Sequence, residues 1–363
     1  MSVREPRATG VLPAVGVPAA FADLTLADID AVRLLLSGES VIDWHSLNFR
    51  DHAEVDRFLR LNEFDPDSAE EMERLEDIRL DAVEYLTRAF SMAIPDDVAD
   101  SVAARDLLLM ASRQGPHQRW ACVVLKVMHI IHHINGRAAL LKVSVSDDFI
   151  FREIELKVMQ VVEQLRAAGA PIAEFEWSRK PLDSQITKLL AKRSTLAANI
   201  YDKLRFRLIV SRREDLLPTL ATLMRQLIPF NYVVPGESVN DLIDLDSLVH
   251  ASEAIRAGRP IAHNRRSRPE RAPMNEFSGA SYRIVNFVAD LPLRLERLTP
   301  RGGNGERSQL SHVVFALTEF QVADKQTALQ NETGDCSHEA YKARQHQRVR
   351  QRLFVSDGEP DSG

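Results

Sequence analysis

The N-terminal half of the chain repeats apolar residues at spacings of three and four, which is the period of an amphipathic helix. This pattern predicts helices over residues 24–36, 69–90, 98–114, 117–141 and 151–171. Asn135 and Gly136 predict a stop in the fourth helix, and Gly169 and Pro171 predict the end of the fifth. Residues 23–170 are therefore expected to form a helical domain.

After Pro171 the pattern changes to short apolar strands that alternate with helices. Strands are predicted over 203–210, 231–234, 281–289 and 312–322, and helices over 184–193, 214–227 and most of 324–354. The expected fold class is α+β: a helical N-terminal half, followed by a mixed β-sheet flanked by helices. The second domain is expected over 171–354, with a flexible arm at 1–22 and a disordered tail at 355–363.

Composition and charge favour a globular protein and argue against some other classes. A hydrophobic content of 45% with 27% charged residues is ordinary for a globular protein, and a net charge of −6 argues against wholesale coating of nucleic acid. No run of 18 apolar residues occurs, so no transmembrane helix and no membrane partner are predicted. Cys122 and Cys336 form neither a disulfide framework nor a zinc pattern, which favours a reducing, cytoplasmic setting.

Charged residues interrupt two of the apolar strands. Asp202 stands just before the strand at 203–210, and Arg205 and Arg207 share one face of it because side chains alternate along a strand. Glu319 and Gln321 likewise share a face of the strand at 312–322. Such charges need partners or a ligand. One interpretation is a structural ion pair; the other is that Asp202 and Glu319 hold one Mg²⁺, an ion that prefers oxygen ligands.

Two further groups of polar residues could contact an anion. His338, Tyr341 and Lys342, with Gly334 before them, fall on one face of the predicted C-terminal helix. An insertion at 244–275 carries six arginines, among them Arg265, Arg266 and Arg268. The insertion is either a solvated loop or a flap that contacts phosphate through its arginines.

A third group consists of histidines. His129, His132 and His133 lie at helical spacing, which can indicate metal binding. Because no acid lies near them in sequence, an amphipathic or packed helix is favoured.

Residues 178–345 resemble the synthetase domain of the RelA/SpoT family, the (p)ppGpp pyrophosphotransferases, as a divergent member. The family's E-x-Q segment and the residues after it are matched, in order, by Glu319, Gln321, Glu332, Gly334, His338, Tyr341 and Lys342. Its earlier motifs are matched by Lys180, Ser184, Lys188, Asp202, Arg207, Tyr282 and Arg283.

The resemblance implies Mg²⁺-dependent transfer of pyrophosphate from ATP to the 3′-hydroxyl of a nucleotide such as GDP or GTP, or of an RNA end. It implies that Asp202 and Glu319 hold the Mg²⁺ and act in catalysis, with Glu319 as general base. It assigns nucleotide contacts to Lys180, Ser184, Lys188, Arg207, Tyr282, Arg283, Gln321, His338 and Lys342.

The chain departs from the family at several positions. Arg205 stands where the family has a glycine, Asn286 where it has a histidine, and Ala323 and Asp324 where it has an arginine and a threonine. These departures leave a second hypothesis open: a catalytically inactive nucleotide-binding regulatory or interaction protein, with the helical half as a partner surface. A third is an α+β interaction protein whose resemblance to the family is coincidental.

Overall fold

The computed structural model describes residues 24–38, 47–142, 145–191, 203–244, 277–279, 281–294, 296 and 312–354. Asp202 lies outside these residues, and so do the predicted arm, the arginine-rich insertion beyond residue 244 and the predicted tail.

Helices fill most of the described part of the N-terminal half. They are α1 (Leu26–Ser37), α2 (His52–Leu61), α3 (Ala69–Phe90), α4 (Asp96–Ala99), α5 (Ala104–Ser112), α6 (Gln118–Lys142) and α7 (Asp147–Ala167). Polar side chains cap the N-termini of several helices. Ser68 Oγ accepts a hydrogen bond from the Glu71 N–H at the start of α3, and Ser146 Oγ accepts one from the Phe149 N–H at the start of α7. The helices predicted over 24–36, 69–90, 117–141 and 151–171 are confirmed, with ends that differ by a few residues. The helix predicted over 98–114 is broken at residues 100–103 into α4 and α5, and α2 was not predicted.

The helix α6 continues through Asn135 and Gly136, so the predicted stop at this pair is wrong. Gly136 is buried, and a Cβ atom built on it would lie 2.3 Å from Cε2 of the Phe315 ring. A glycine at this position lets the helix approach the strand that carries Phe315. The residue therefore marks a packing contact and not a helix end.

The C-terminal half contains a five-stranded sheet with the order β1-β2-β5-β4-β3. The strands are β1 (Ile172–Arg179), β2 (Leu204–Val210), β3 (Val239–Asn240), β4 (Val285–Arg294) and β5 (Val313–Asp324). The helices around it are α8 (Leu182–Ala191), α9 (Leu216–Gln226), α10 (Lys325–Asn331) and α11 (His338–Phe354). Because β2 and β5 are parallel and the other pairs antiparallel, the sheet is mixed, and the predicted fold class is confirmed.

The strand predicted over 231–234 is wrong. The chain forms a 3₁₀ turn at Phe230–Tyr232, and only Val233 makes an isolated bridge, to Ala289. The turn points two polar side chains into the protein, where Asn231 donates to Asn62 and the Tyr232 hydroxyl lies 2.6 Å from His132 Nδ1. These buried contacts need a turn, and they override the local strand preference.

One face of the sheet is packed into a hydrophobic core with α1, α7 and α9. Phe206, Phe320 and Phe287 form a row of stacked rings across β2, β5 and β4, with centroids 5.6 and 5.3 Å apart. A second core joins α2, α3, α5 and α6. Helices from the N-terminal half therefore cover the sheet directly.

Buried ion pairs also tie the helical half to β4. Lys157 Nζ of α7 lies 2.7 Å from Glu63 Oε1, and Arg294 of β4 donates to Glu63 and to Glu71. Lys157 and Glu63 are almost fully buried, so each depends on its partner for charge compensation.

Candidate functional site

The register of the strands collects polar residues on the second face of the sheet. In the parallel pair β2 and β5, Arg205 stands opposite Glu319 and Arg207 opposite Gln321. The antiparallel strand β4 places Asn286 opposite Gln321. Residues paired in this way point to the same side of a sheet. These five residues are called the polar face below.

An ion pair stands at the centre of the polar face. Arg205 Nε donates to Glu319 Oε2 at 2.6 Å, and Gln321 Nε2 donates to the other carboxylate oxygen at 3.4 Å. The Glu319 side chain is only 10% exposed, whereas that of Arg205 is 36% exposed. A carboxylate this deeply buried needs such compensation. The arginine that replaces the family's glycine thus binds the acid that the resemblance names as catalytic.

The second arginine of the polar face pairs with exposed acids. Arg207 Nη2 donates to Glu332 Oε1 at 3.3 Å, and its Nη1 lies 3.8 Å from Glu176 Oε2. Both carboxylates are well exposed. Glu176 was missed in the sequence because β1 was not predicted, although Phe175 and Trp177 alternate with acids there, which is a strand signal.

Tyr282 and His338 lie in the electrostatic field of these cations. Burial raises the pKa of Tyr282, although the charges of Arg205 and Arg207 act in the opposite direction. Burial lowers the pKa of His338, and the positive charges of Lys342 and Arg205 lower it further. At neutral pH the imidazole of His338 is therefore favoured in its neutral form, beside cationic neighbours.

Lys180, Ser184 and Lys188, which the resemblance assigns to nucleotide contacts, belong to α8 and the loop before it. Lys180 follows β1, and its backbone N–H donates to the carbonyl of Lys203. Ser184 and Lys188 lie one turn apart on α8 and are partly buried. The helix α8 packs against α11, the helix that carries His338 and Lys342. Gly334 lies in a separate 3₁₀ turn before that helix, so it does not share a helical face with them.

Two further positions have structural partners. Arg283 is exposed, its Nη1 donates to the Tyr282 carbonyl at 2.8 Å, and its backbone is held by Asn331. Asp324 caps α10, where Oδ2 accepts the Thr327 hydroxyl at 2.6 Å. Burial opposes ionisation of Asp324, but the hydrogen bonds from Thr327 outweigh it and lower the pKa. The position that holds a threonine in the family therefore serves here as a helix cap.

The contacts of Glu319 disfavour Mg²⁺ at this carboxylate. Among the described residues, no group of three or more His, Cys, Asp or Glu side chains is arranged to hold a metal ion, although one or two carboxylates suffice for Mg²⁺. Both oxygens of Glu319 already accept hydrogen bonds, and the second predicted ligand, Asp202, lies outside the described residues. A divalent ion at Oε2 would also meet the positive charge of Arg205.

No family model matches the chain, and no curated protein matches it. Among solved structures, the chain is similar to the small alarmone synthetase 1 from Bacillus subtilis, with 14% identity, a TM-score of 0.31, and coverage of 56% of this chain and 85% of that one. The same synthetase bound to its product pppGpp matches with a TM-score of 0.32 at 14% identity, over 56% of this chain and 85% of that one.

A GTP pyrophosphokinase family protein from Streptococcus pneumoniae is similar at 14% identity and a TM-score of 0.31, over 57% of this chain and 85% of that one. These TM-scores are too low to carry an argument about function. The assignment of function therefore depends on the residues of the polar face and their neighbours.

Proposed function

We propose that this protein binds a nucleoside polyphosphate, such as ATP or GTP, on the polar face, and that it does not transfer a phosphoryl group. The observation that carries the proposal is the bond from Arg205 Nε to Glu319 Oε2 at 2.6 Å. It neutralises the deeply buried carboxylate of the polar face and leaves the side chains of Arg205 and Arg207 partly exposed on the same face of β2.

Several neighbours suit a nucleotide. Guanidinium groups bind phosphate oxygens through paired N–H donors, and Arg205 and Arg207 stand two residues apart on one face of β2. Lys342 adds a positive charge beside His338. The ring of Tyr282 lies in the field of both arginines, and an aromatic ring accepts a stacked base of any kind. The order of motif residues that resembles the RelA/SpoT synthetase domain also supports a nucleotide ligand.

The same ion pair argues against catalysis. A general base must have an oxygen within hydrogen-bond reach of the proton that it removes. In Glu319, Oε2 accepts from Arg205 and Oε1 accepts from Gln321. Each oxygen therefore already uses an acceptor site on a neighbour, and a substrate hydroxyl would have to share the carboxylate with Arg205.

The second candidate is the transferase that the resemblance implies. Glu319 and Gln321 lie on one face of β5 beside Arg207, which is the observation that favours it. In this reaction the 3′-hydroxyl of a nucleotide or RNA end would attack the β-phosphorus of ATP. The bond from that phosphorus to the α-phosphate bridging oxygen would break, AMP would leave, and Glu319 would take the hydroxyl proton. Mg²⁺, held by Glu319 and Asp202, would neutralise the phosphates.

One experiment separates the two candidates. Purified protein is incubated with Mg²⁺ and ATP labelled in its γ-phosphate, together with GDP, GTP, AMP or tRNA, while ATP binding is measured by calorimetry. We expect ATP binding and no labelled acceptor. Label on any acceptor that disappears in Glu319→Gln, and persists in the matched exposed variant Glu332→Gln, would establish the transferase instead. Absence of both binding and transfer would contradict both candidates.

A further inference from the structure

We infer that Arg205 takes the place of a divalent cation at Glu319, so that the polar face binds nucleotide phosphates without magnesium. This inference depends on the proposed function, since it specifies how that same site neutralises its ligand. It starts from the disagreement between the expected Mg²⁺ and the donor set that the described residues present.

Arg205 stands where a cation would bridge the Glu319 carboxylate and the phosphate of a ligand. A magnesium ion in a nucleotide site is held by one or two carboxylates and binds the substrate phosphates on its other side. Arg205 binds the carboxylate of Glu319 through Nε, and its side chain remains 36% exposed on the open side of the sheet. Its guanidinium carries five N–H donors in a rigid fork, so one group can bind a carboxylate and a phosphate together.

The register of the sheet fixes this arrangement. Arg205 and Glu319 are direct partners in the parallel pair β2 and β5, and Phe206 and Phe320, the next residues along, stack in the core below. The buried rings hold the two strands in register. The positive charge is therefore supplied by the fold itself, and an arginine stays protonated at any working pH.

The acids around Arg207 do not block a phosphate ligand. Glu176 and Glu332 are 65% and 61% exposed, and their contacts with Arg207 are long, at 3.8 and 3.3 Å. Exposed pairs of this kind contribute little stability. A polyphosphate can displace these carboxylates into solvent and take their place on Arg207, whereas the buried Glu319 keeps its bond to Arg205.

The first test is a calorimetric titration of the whole protein with ATP, once in excess EDTA and once in Mg²⁺. We expect affinities that agree within about tenfold in the two buffers. Binding in Mg²⁺ with none in EDTA would overturn this inference and leave the proposed function intact. No binding in either buffer would contradict the proposed function itself, so the two failures are distinguishable.

The second test uses two arginine variants. Arg205→Ala frees Glu319, so ATP binding in EDTA is expected to weaken by about tenfold or more and to recover in Mg²⁺. The matched control, Arg207→Ala, removes the same charge from the same strand but leaves the Glu319 pair intact. It is expected to weaken binding equally in both buffers.

Circular dichroism and thermal unfolding establish that each variant is folded. If Arg205→Ala does not fold, Arg205→Gln removes the charge while it keeps a hydrogen-bond donor to Glu319, and the same pattern is expected. ATP affinity that is unchanged in EDTA, in a folded variant, would show that Arg205 is only a structural partner of Glu319. That result would overturn the inference.

Discussion

The two ends of one sheet face differ in whether their polar groups are exposed or covered by a helix. At the open end, Arg205 and Glu319 form an ion pair beside exposed acids. At the other end of β4 and β5, Asp290 and Phe315 lie on the same face but are covered by α6. The comparison shows that burial by a helix, and not the strand sequence, decides which half of the face can meet a ligand.

The covered end contains a cluster of histidines, His129, His132, His133 and His312. His132 Nδ1 lies 2.6 Å from the Tyr232 hydroxyl, and His133 Nε2 lies 2.8 Å from Asp290 Oδ2. Burial lowers the pKa of His129 to about 3 and that of His312 to about 4, and it places the pKa of His132 well below its usual value. His129, His132 and His312 are therefore neutral near pH 7, which agrees with the packed-helix interpretation of the sequence.

The largest expected effect is acid destabilisation of the covered end. The unfolded histidines bind protons below about pH 6.5, whereas His129 and His312 stay neutral in the folded protein down to about 3 and about 4. Because the unfolded state then binds more protons, stability is full above pH 6.5 and falls as the pH decreases. At about pH 5 the loss is about 2 kcal/mol for each of the two histidines.

Urea denaturation at a series of pH values measures this loss. The charges that face His312 are Glu71, which opposes its shift, and Arg74 and Arg294, which add to it; His133 adds to the shift of His129. A variant His129→Phe should flatten the pH dependence, while His346→Phe, at an exposed site on α11, should not. Stability that stays constant between about pH 7 and about pH 5 would contradict the neutral cluster.

A smaller loss of stability is expected when a side chain is added at the close contact between α6 and β5. In Gly136→Ala the added Cβ would lie 2.3 Å from the Phe315 ring, so helix and strand must separate. Overpacking of this kind destabilises by about 1–3 kcal/mol, despite the better helix propensity of alanine. Thermal unfolding measures the change. The matched control is Gly115→Ala, where an added Cβ meets no atom within 4 Å, and its stability should hardly change.

The smallest loss of stability is expected from a substitution at the open end of the sheet face. Arg207→Ala removes contacts with two exposed acids, Glu176 and Glu332, so the free energy of unfolding should fall by less than about 1 kcal/mol. Urea denaturation near pH 7 is the measurement. A loss larger than that of Gly136→Ala would show that the open end also supports the fold, and the contrast between the two ends would then fail.

Local periodicity predicted most of the elements and the shared faces within them. Arg205 with Arg207, and Glu319 with Gln321, were placed on common strand faces because alternation is a property of a strand alone. The strand β1 and the helix α2 were not predicted. The predicted division near residue 170, and the roles assigned to individual site residues, stay predictions.

The amino-acid sequence by itself determined the α+β class, most helices and strands, and the presence of an acid and two arginines on apolar strands. Only the tertiary structure decided that Arg205 bonds Glu319, since these residues are 114 positions apart and meet through the parallel register of β2 and β5. It also decided that Gly136 is a contact with Phe315 and not a helix end. The physical reason is common to both: register and close packing depend on distant neighbours, which local patterns do not contain.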